Sequence, residues 1–203
     1  NTLKELKNLS KTENIIARGN GRSYGDSAAS ENITIDMKSL NEIESFEPAS
    51  GEIIAQAGVL LSTIISNFLP MGWFPYVTPG TKFVTVGGMI ASDVHGKNHH
   101  KEGSFYYYIN WIELLDSQGN IIRCSRQENE EMFEWTIGGM GLTGIIYRAS
   151  FILRKVESSW IKSKKIVTNN LNDSIDVMEE NLNSLYSVAW IDCTCSGKSI
   201  GRS

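Results

Sequence analysis

PGTKFVTVGGMIASDVHGKNHHKEGS, residues Pro79 to Ser104, is the stretch whose reading decides the fold of this chain. It holds all three histidines of the protein and five of its glycines, and it changes character midway. Thr85 to Ala91 is small and apolar enough for a tight helical turn, whereas His95 to Ser104 is polar, broken by glycine and mixed in charge. Small residues let a backbone approach another object closely, and glycine supplies positive φ where a chain must wrap around something. The stretch reads as a loop that embraces a ligand.

Other glycine clusters lie on either side of it. Gly19-Asn-Gly-Arg-Ser-Tyr-Gly-Asp26 separates a short β-branched run at Asn14 to Ala17 from a second run at Ile33 to Met37, which reads as strand, glycine loop, strand. Successive N–H groups around left-handed glycines make an anion nest, and Arg22 and Ser23 add side-chain donors, so a pyrophosphate is a fitting guest. Three residues rather than two separate its last two glycines and a strand follows, so it is not the dinucleotide fingerprint of a Rossmann unit. No Gly-Lys-Ser/Thr is present, so it is not a P-loop. Pro79-Gly-Thr with Thr85-Val-Gly-Gly88 offers a second set of amides by the same logic, and Gly138-Gly-Met-Gly141 opens a strand where a flat ligand can approach.

The rest of the chain supplies a scaffold. Leu40 to Glu47 and Glu52 to Ala57 alternate around a turn at Pro48 to Gly51, a hairpin pattern. Leu60, Leu61, Ile64, Ile65, Phe68 and Leu69 form a helical stripe ended by Pro70 and Gly72. Ile109 to Leu115 and Ile121 to Cys124 predict a second hairpin. Ser125-Arg-Gln-Glu128 reads as a capping box for a helix ending near Thr136, and Leu142 to Leu153 as a long strand. After Arg154 come a polar strand flanked by lysines, an amphipathic helix over Asn172 to Leu185 opened by Asn172 or Asp173, and a strand over Val188 to Thr194. Cys193 and Cys195 then share one face of that strand, in a packing role.

The 41% hydrophobic content is enough for a core, and 203 residues suit one large domain plus part of another. A net charge of -4 gives no reason to expect nucleic acid, so Arg18, Arg22, Lys97 and Lys101 are of interest as local phosphate or substrate contacts. No apolar run reaches the ~18 to 20 residues of a membrane span. Three cysteines without framework spacing point to a reduced, cytoplasmic protein. His95 and His99 have the i, i+4 spacing of metal ligands, but that spacing requires a helix, which Gly96 and Asn98 oppose, and no carboxylate or cysteine partner is near these histidines in sequence, so no metal site is expected.

In order along the chain, ARGNGRSYGDSA, PGT, TVGGMIASDVHGKNHH, GSF and GGMGLTGII resemble the flavin domain of the decaprenylphosphoryl-β-D-ribose oxidase family, within the vanillyl-alcohol oxidase superfamily. HGKNHH is the most specific piece. The resemblance implies an α+β fold, a PCMH-type FAD-binding domain of two α/β subdomains over residues 1–155, followed by the beginning of an incomplete substrate (cap) domain over 156–203. It implies that FAD is held by Ala17, Arg18, Gly19, Asn20, Gly21, Arg22, Ser23, Tyr24, Gly25, Asp26 and Ser27, by Gly80, Thr85, Val86, Gly87 and Gly88, and by Ser92, Asp93, Val94, His95 and Ile145. Many relatives attach the flavin through a histidine of the first loop; this chain has Arg22 in that region and no histidine before His95, which implies non-covalent FAD.

The implied chemistry is oxidation of a secondary sugar alcohol to a ketone, with hydride passing to flavin N5 and His95 and Lys97 facing the substrate side. The substrate would be a small-molecule or lipid-linked sugar, at a location peripheral to the cell envelope, and the keto product would pass to a nicotinamide-dependent reductase. Family members are longer, so the chain is expected to be an N-terminal portion, weak or inert alone. Alternatives are an aldonolactone or sugar-alcohol oxidase of the same superfamily and a non-catalytic flavin-binding module.

Overall fold

The computed structural model describes residues 2–12 and 14–203. A short helix, α1 (Thr2–Leu9), seats Leu6 in the core and leads to β1 (Ile15–Arg18). β1 and β2 (Ile33–Asp36) form a two-stranded sheet of their own, paired in parallel from Ile15 with Ile33 to Arg18 with Asp36. A parallel pair cannot be joined by a tight turn. Residues 19–32 must therefore travel back along the sheet, and this forces the first glycine loop out as an open span.

The larger sheet contains β3 (Ile43–Glu47), β4 (Glu52–Gln56), β5 (Trp73–Pro75), β6 (Ile109–Leu115), β7 (Ile121–Ser125) and β8 (Ile145–Lys155). Its order is β3-β4-β8-β6-β7, antiparallel throughout, and β5 pairs with the far end of β8. Both predicted hairpins are present. β8 is the central strand, and Ala149, Phe151 and Leu153 on one of its faces are buried. On the other face Arg148 Nε donates to Glu113 at 2.7 Å and its Nη1 pairs with Glu44.

The predicted stripe folds as α2 (Leu61–Phe68), which buries Leu61, Ile64 and Phe68 and ends in a 3-10 turn capped by left-handed Gly72. Phe68 packs on Phe46, which meets Trp73 edge-on. The small apolar run folds as α3 (Val86–Ala91), with Val86, Met89 and Ile90 buried against the sheet. Each such side chain contributes roughly 1.5–3 kcal/mol by leaving water. α4 (His99–Glu102) is a single turn beyond it. Among the described residues no helix is long and apolar enough to cross a membrane.

Several expectations fail locally. Ser125 does not cap a helix: its Oγ accepts from the amides of Gln127 and Glu128 in an isolated turn, and α5 (Glu130–Thr136) starts only after left-handed Asn129. The last helix, α6 (Leu171–Glu180), is shorter than Asn172 to Leu185, and its cap is Asn170, whose Oδ1 accepts from Asp173 N, rather than Asn172 or Asp173. Neither the polar run after Arg154 nor Val188 to Thr194 is a strand, because no neighbouring strand offers either a ladder. Trp160, Val167 and Trp190 consequently stand in solvent.

Cys193 and Cys195 therefore share no strand face, and Cys193 is exposed. Cys124 is fully buried, and burial, reinforced by Glu128, pushes its thiol pKa up. Since the thiolate is the reactive form, Cys193 should react first with a disulfide reagent at neutral pH. Cys195, whose Sγ lies 3.2 Å from the Asp192 carboxylate, should follow, and Cys124 should react only on unfolding. Equal rates for the three thiols would contradict this placement.

Candidate functional site

The two glycine loops face each other across a cleft of about 700 Å³. β1 delivers the first loop and the 79–85 segment delivers the second. Asn20 Nδ2 ties them by donating to Phe83 O at 2.9 Å, and the Arg22 guanidinium lies 5.6 Å from the centre of the Phe83 ring. Ser27 Oγ donates to Tyr24 O at 3.1 Å and Ala29 N to Asp26 O at 2.9 Å, closing the far side of the loop. Held this way at its margins, the loop leaves the amides of Asn20 to Tyr24 without a protein acceptor among the described residues. Gly21 and Gly25 have left-handed φ of 62° and 57°, the backbone pattern from which successive N–H groups converge on an anion.

α3 contributes differently from the expectation of a second amide set. Thr85 caps it, with Oγ1 accepting from Gly88 N at 3.2 Å. Val86 N donates to Val59 O and Gly87 N to Ala57 O, both at 2.8 Å, and Met89 N to Thr85 O. These donors are spent on the protein. What α3 offers is a wall without side chains, since a Cβ on Gly87 would lie only 2.9 Å from that of Ala57.

Of the residues expected at the cofactor, Ala17, Gly19, Asn20, Gly21, Arg22, Ser23, Tyr24, Ser27, Gly80, Thr85, Gly87, Gly88, Ser92 and Val94 line this cleft. Arg18, Gly25, Asp26, Val86, Asp93, His95 and Ile145 do not. Val86 is in the core, Arg18 turns to Ala28 O, and Asp93 Oδ1 accepts from Tyr106 N at 2.9 Å. Ile146 lines the cleft in place of Ile145, because adjacent strand residues point to opposite faces. Met37, Ala57, Val84 and Ala91 also line it and were not foreseen, whereas Met140, Gly141 and Gly144 come from the third glycine element, where a flat ligand was expected to approach. Among the described residues the lining carries one charged side chain, Arg22, and includes no Asp, Glu, His or Cys.

A second cleft, of about 720 Å³, is bordered by Lys97 of the HGKNHH segment. Val94 lines the first and Lys97 the second, while exposed His95 lines neither and has its ring 5.2 Å from that of His99. Four cations, Lys97, Arg154, Lys162 and Lys164, share the second cleft with Leu69, Phe74, Val156, Val177 and Met178, and no Asp or Glu among the described residues lines it.

Asn98 organises the segment. It is fully buried, donates from Nδ2 to Tyr76 O at 2.7 Å, and accepts at its main-chain oxygen from the amides of Lys101 and Glu102. Glu102 then pairs with Arg154 at 3.2 Å and accepts from Tyr108 Oη at 2.7 Å; burial first, then that carboxylate, raises the Tyr108 phenol pKa. The C-terminal segment docks here: Ser187 N donates to Lys97 O, Lys101 Nζ to Asn183 O, and His100 Nε2 lies 2.9 Å from Ser184 O. No group of three or more His, Cys, Asp or Glu side chains able to hold a metal ion occurs among the described residues.

Residues 4–125 match the family described as the FAD binding domain. Decaprenylphosphoryl-beta-D-ribose oxidase of Mycolicibacterium smegmatis is 38% identical over 192 residues, which is 93% of this chain and 42% of that protein. An uncharacterized protein in the mprA 5' region of Streptomyces coelicolor is 34% identical over 145 residues, 71% of this chain and 39% of that one. Cytokinin dehydrogenase 9 of Oryza sativa subsp. japonica is 31% identical over 141 residues, 68% of this chain and 27% of that protein. The chain thus spans less than half the length of each of these relatives. The first cleft fits FAD on its own evidence: unspent amides and a lone Arg22 suit a diphosphate, and side-chain-free glycine walls suit a flat ring. Family match and cleft chemistry together lead to one conclusion: this chain belongs to the FAD binding domain family.

Proposed function

We propose that this chain holds FAD non-covalently in the first cleft as the flavin-carrying part, residues 1–155, of an oxidoreductase that converts a secondary alcohol of a sugar to a ketone. The observation that carries it is the cleft lining, with five free amides, one cation and no carboxylate. The absence of His and Cys from that lining supports non-covalent binding. When bound, FAD would supply the hydride acceptor. The amides of Asn20 to Tyr24 and the Arg22 guanidinium would hold its diphosphate, and Ala57, Val84 and Ile146 would keep water from its ring.

The second cleft supports the substrate side of the reading. Lys97, Lys162 and Lys164 would hold an anionic group and the apolar wall an aliphatic one, a combination that suits a lipid-phosphate-linked sugar such as the name of the mycobacterial relative describes. Lys97 is then the substrate-side group, whereas His95, outside both clefts, has no such place. Residues 156–203 would begin the substrate-binding unit, and the keto product would go to a nicotinamide-dependent reductase.

The test is an FAD titration of the purified chain, followed by acid precipitation. A visible flavin band that appears on binding and is wholly released by acid is the expected result. Arg22→Ala should weaken binding by roughly 10- to 100-fold, since a hydrogen bond to a charged group contributes about 1.5–3 kcal/mol. A chain that takes up no FAD at any concentration would sink the reading, and flavin remaining in the acid pellet would overturn its non-covalent part.

A further inference from the structure

We propose that Met140 is a contact residue for the flavin ring, kept in a strained backbone for that purpose; the inference rests on the reading of the first cleft as the FAD site. Among the described residues four that are not glycine have positive φ: Asn14, Asp93, Asn129 and Met140. Asn and Asp tolerate the left-handed region through local hydrogen bonds, but methionine has no such compensation, and the conformation disfavours it by a factor of about ten relative to glycine. Met140 nevertheless sits at φ 55° between Gly138 and Gly141, which share that conformation at 78° and 81°. Glycine is used on both sides of the position where it would serve best.

Folding does not account for the exception. The Met140 side chain is 42% exposed and stands outside the hydrophobic core and the residues packed against it. The backbone, in contrast, is held firmly: Met140 N donates to Ala91 O at 2.8 Å and Gly138 N to Ile90 O at 3.0 Å, fastening the loop to the end of α3. Ala91, Ser92 and Val94 line the same cleft as Met140. A thioether fastened at the mouth of a cleft suited to a flat heteroaromatic ring makes the sulfur–aromatic contact such rings favour. The strained conformation aims a side chain that the chain alone does not need.

Met140→Gly and Met140→Ala separate the two halves of the argument. Glycine removes both strain and side chain; alanine removes the thioether and keeps the strain. Without FAD, Met140→Gly should melt about 2–4 °C above the parent and Met140→Ala within a degree or so of it. In FAD titrations both variants should bind roughly tenfold more weakly and show a bound-flavin absorption band shifted toward that of free FAD. Binding and spectra equal to the parent's in both variants would overturn the proposal, as would weakening in Met140→Gly alone, which would indicate loop entropy instead of contact. A parent chain that binds no FAD would instead remove the flavin reading itself, a result distinguishable from either.

Discussion

Gly19→Ala is expected to cost this chain most of its FAD affinity while leaving the core folded. A Cβ at Gly19 would stand 2.3 Å from Thr85 Oγ1 and 3.2 Å from its Cγ2. Thr85 cannot yield: it is 2% exposed and its hydroxyl caps α3. The first loop must move instead, carrying the unspent amides of Asn20 to Tyr24 away from the α3 wall. Overpacking of this kind costs about 1–3 kcal/mol, roughly 5- to 150-fold in a binding constant. The double variant Gly19→Ala/Thr85→Ala removes the obstructing atoms at the expense of the cap, about 1 kcal/mol of stability. It should be less stable than the parent yet bind FAD better than Gly19→Ala alone, a sign of direct coupling. Equal FAD affinity in Gly19→Ala and the parent, measured by titration, would show that the two loops do not need this contact.

Gly58→Ala is expected to strike the fold itself. Here the added Cβ would meet two backbone oxygens, Met37 O at 2.1 Å and Leu40 O at 2.6 Å. Gly58 N already donates to Leu40 O at 2.8 Å, so the contact is part of the chain's own hydrogen bonding. No rotamer can relieve a clash with backbone, and the loss should be about 3 kcal/mol or more, a fall in Tm of at least about 6–12 °C. A melting curve within 2 °C of the parent would refute it. Neither Gly19 nor Gly58 has left-handed φ; both are glycines for space, one at the site and one at the scaffold.

What was legible beforehand follows from the range of the interactions involved. α2 and α3 could be read because a helix states its buried face within a few residues, as Leu61, Ile64 and Phe68 do, although the capping role of Thr85 was not anticipated. The β3–β4 hairpin was visible in its turn. The parallel pairing of β1 with β2 was not, because nothing local distinguishes it from an antiparallel return. Ser125 made a turn where a capping box was expected, since the same hydroxyl serves either. Val188 to Thr194 had the composition of a strand without a neighbour to pair with.

The site was legible where glycines cluster and illegible where strands supply the floor. Ile146 lines the cleft where the resemblance implied Ile145, because neighbouring strand residues face opposite sides and the resemblance alone does not fix which side meets the cleft. Met37, Ala57 and Val84 reach the cleft from three separate elements through tertiary packing alone. Asn98, a polar residue in a polar run, gave no sign that it would be wholly buried.

Val94 lines one cleft and Lys97 the other, so the two clefts draw on one stretch of backbone three residue steps long, at most about 10 Å when extended. This stretch has no room for a side chain at Gly96, where a Cβ would lie 2.5 Å from Asn98 Oδ1 and 2.9 Å from Thr78 O. Occupants that touch Val94 and Lys97 would be joined through this one short stretch of backbone. If filling one chamber shifts this stretch, the affinity of the other changes with it, and by thermodynamic linkage the influence runs equally in both directions.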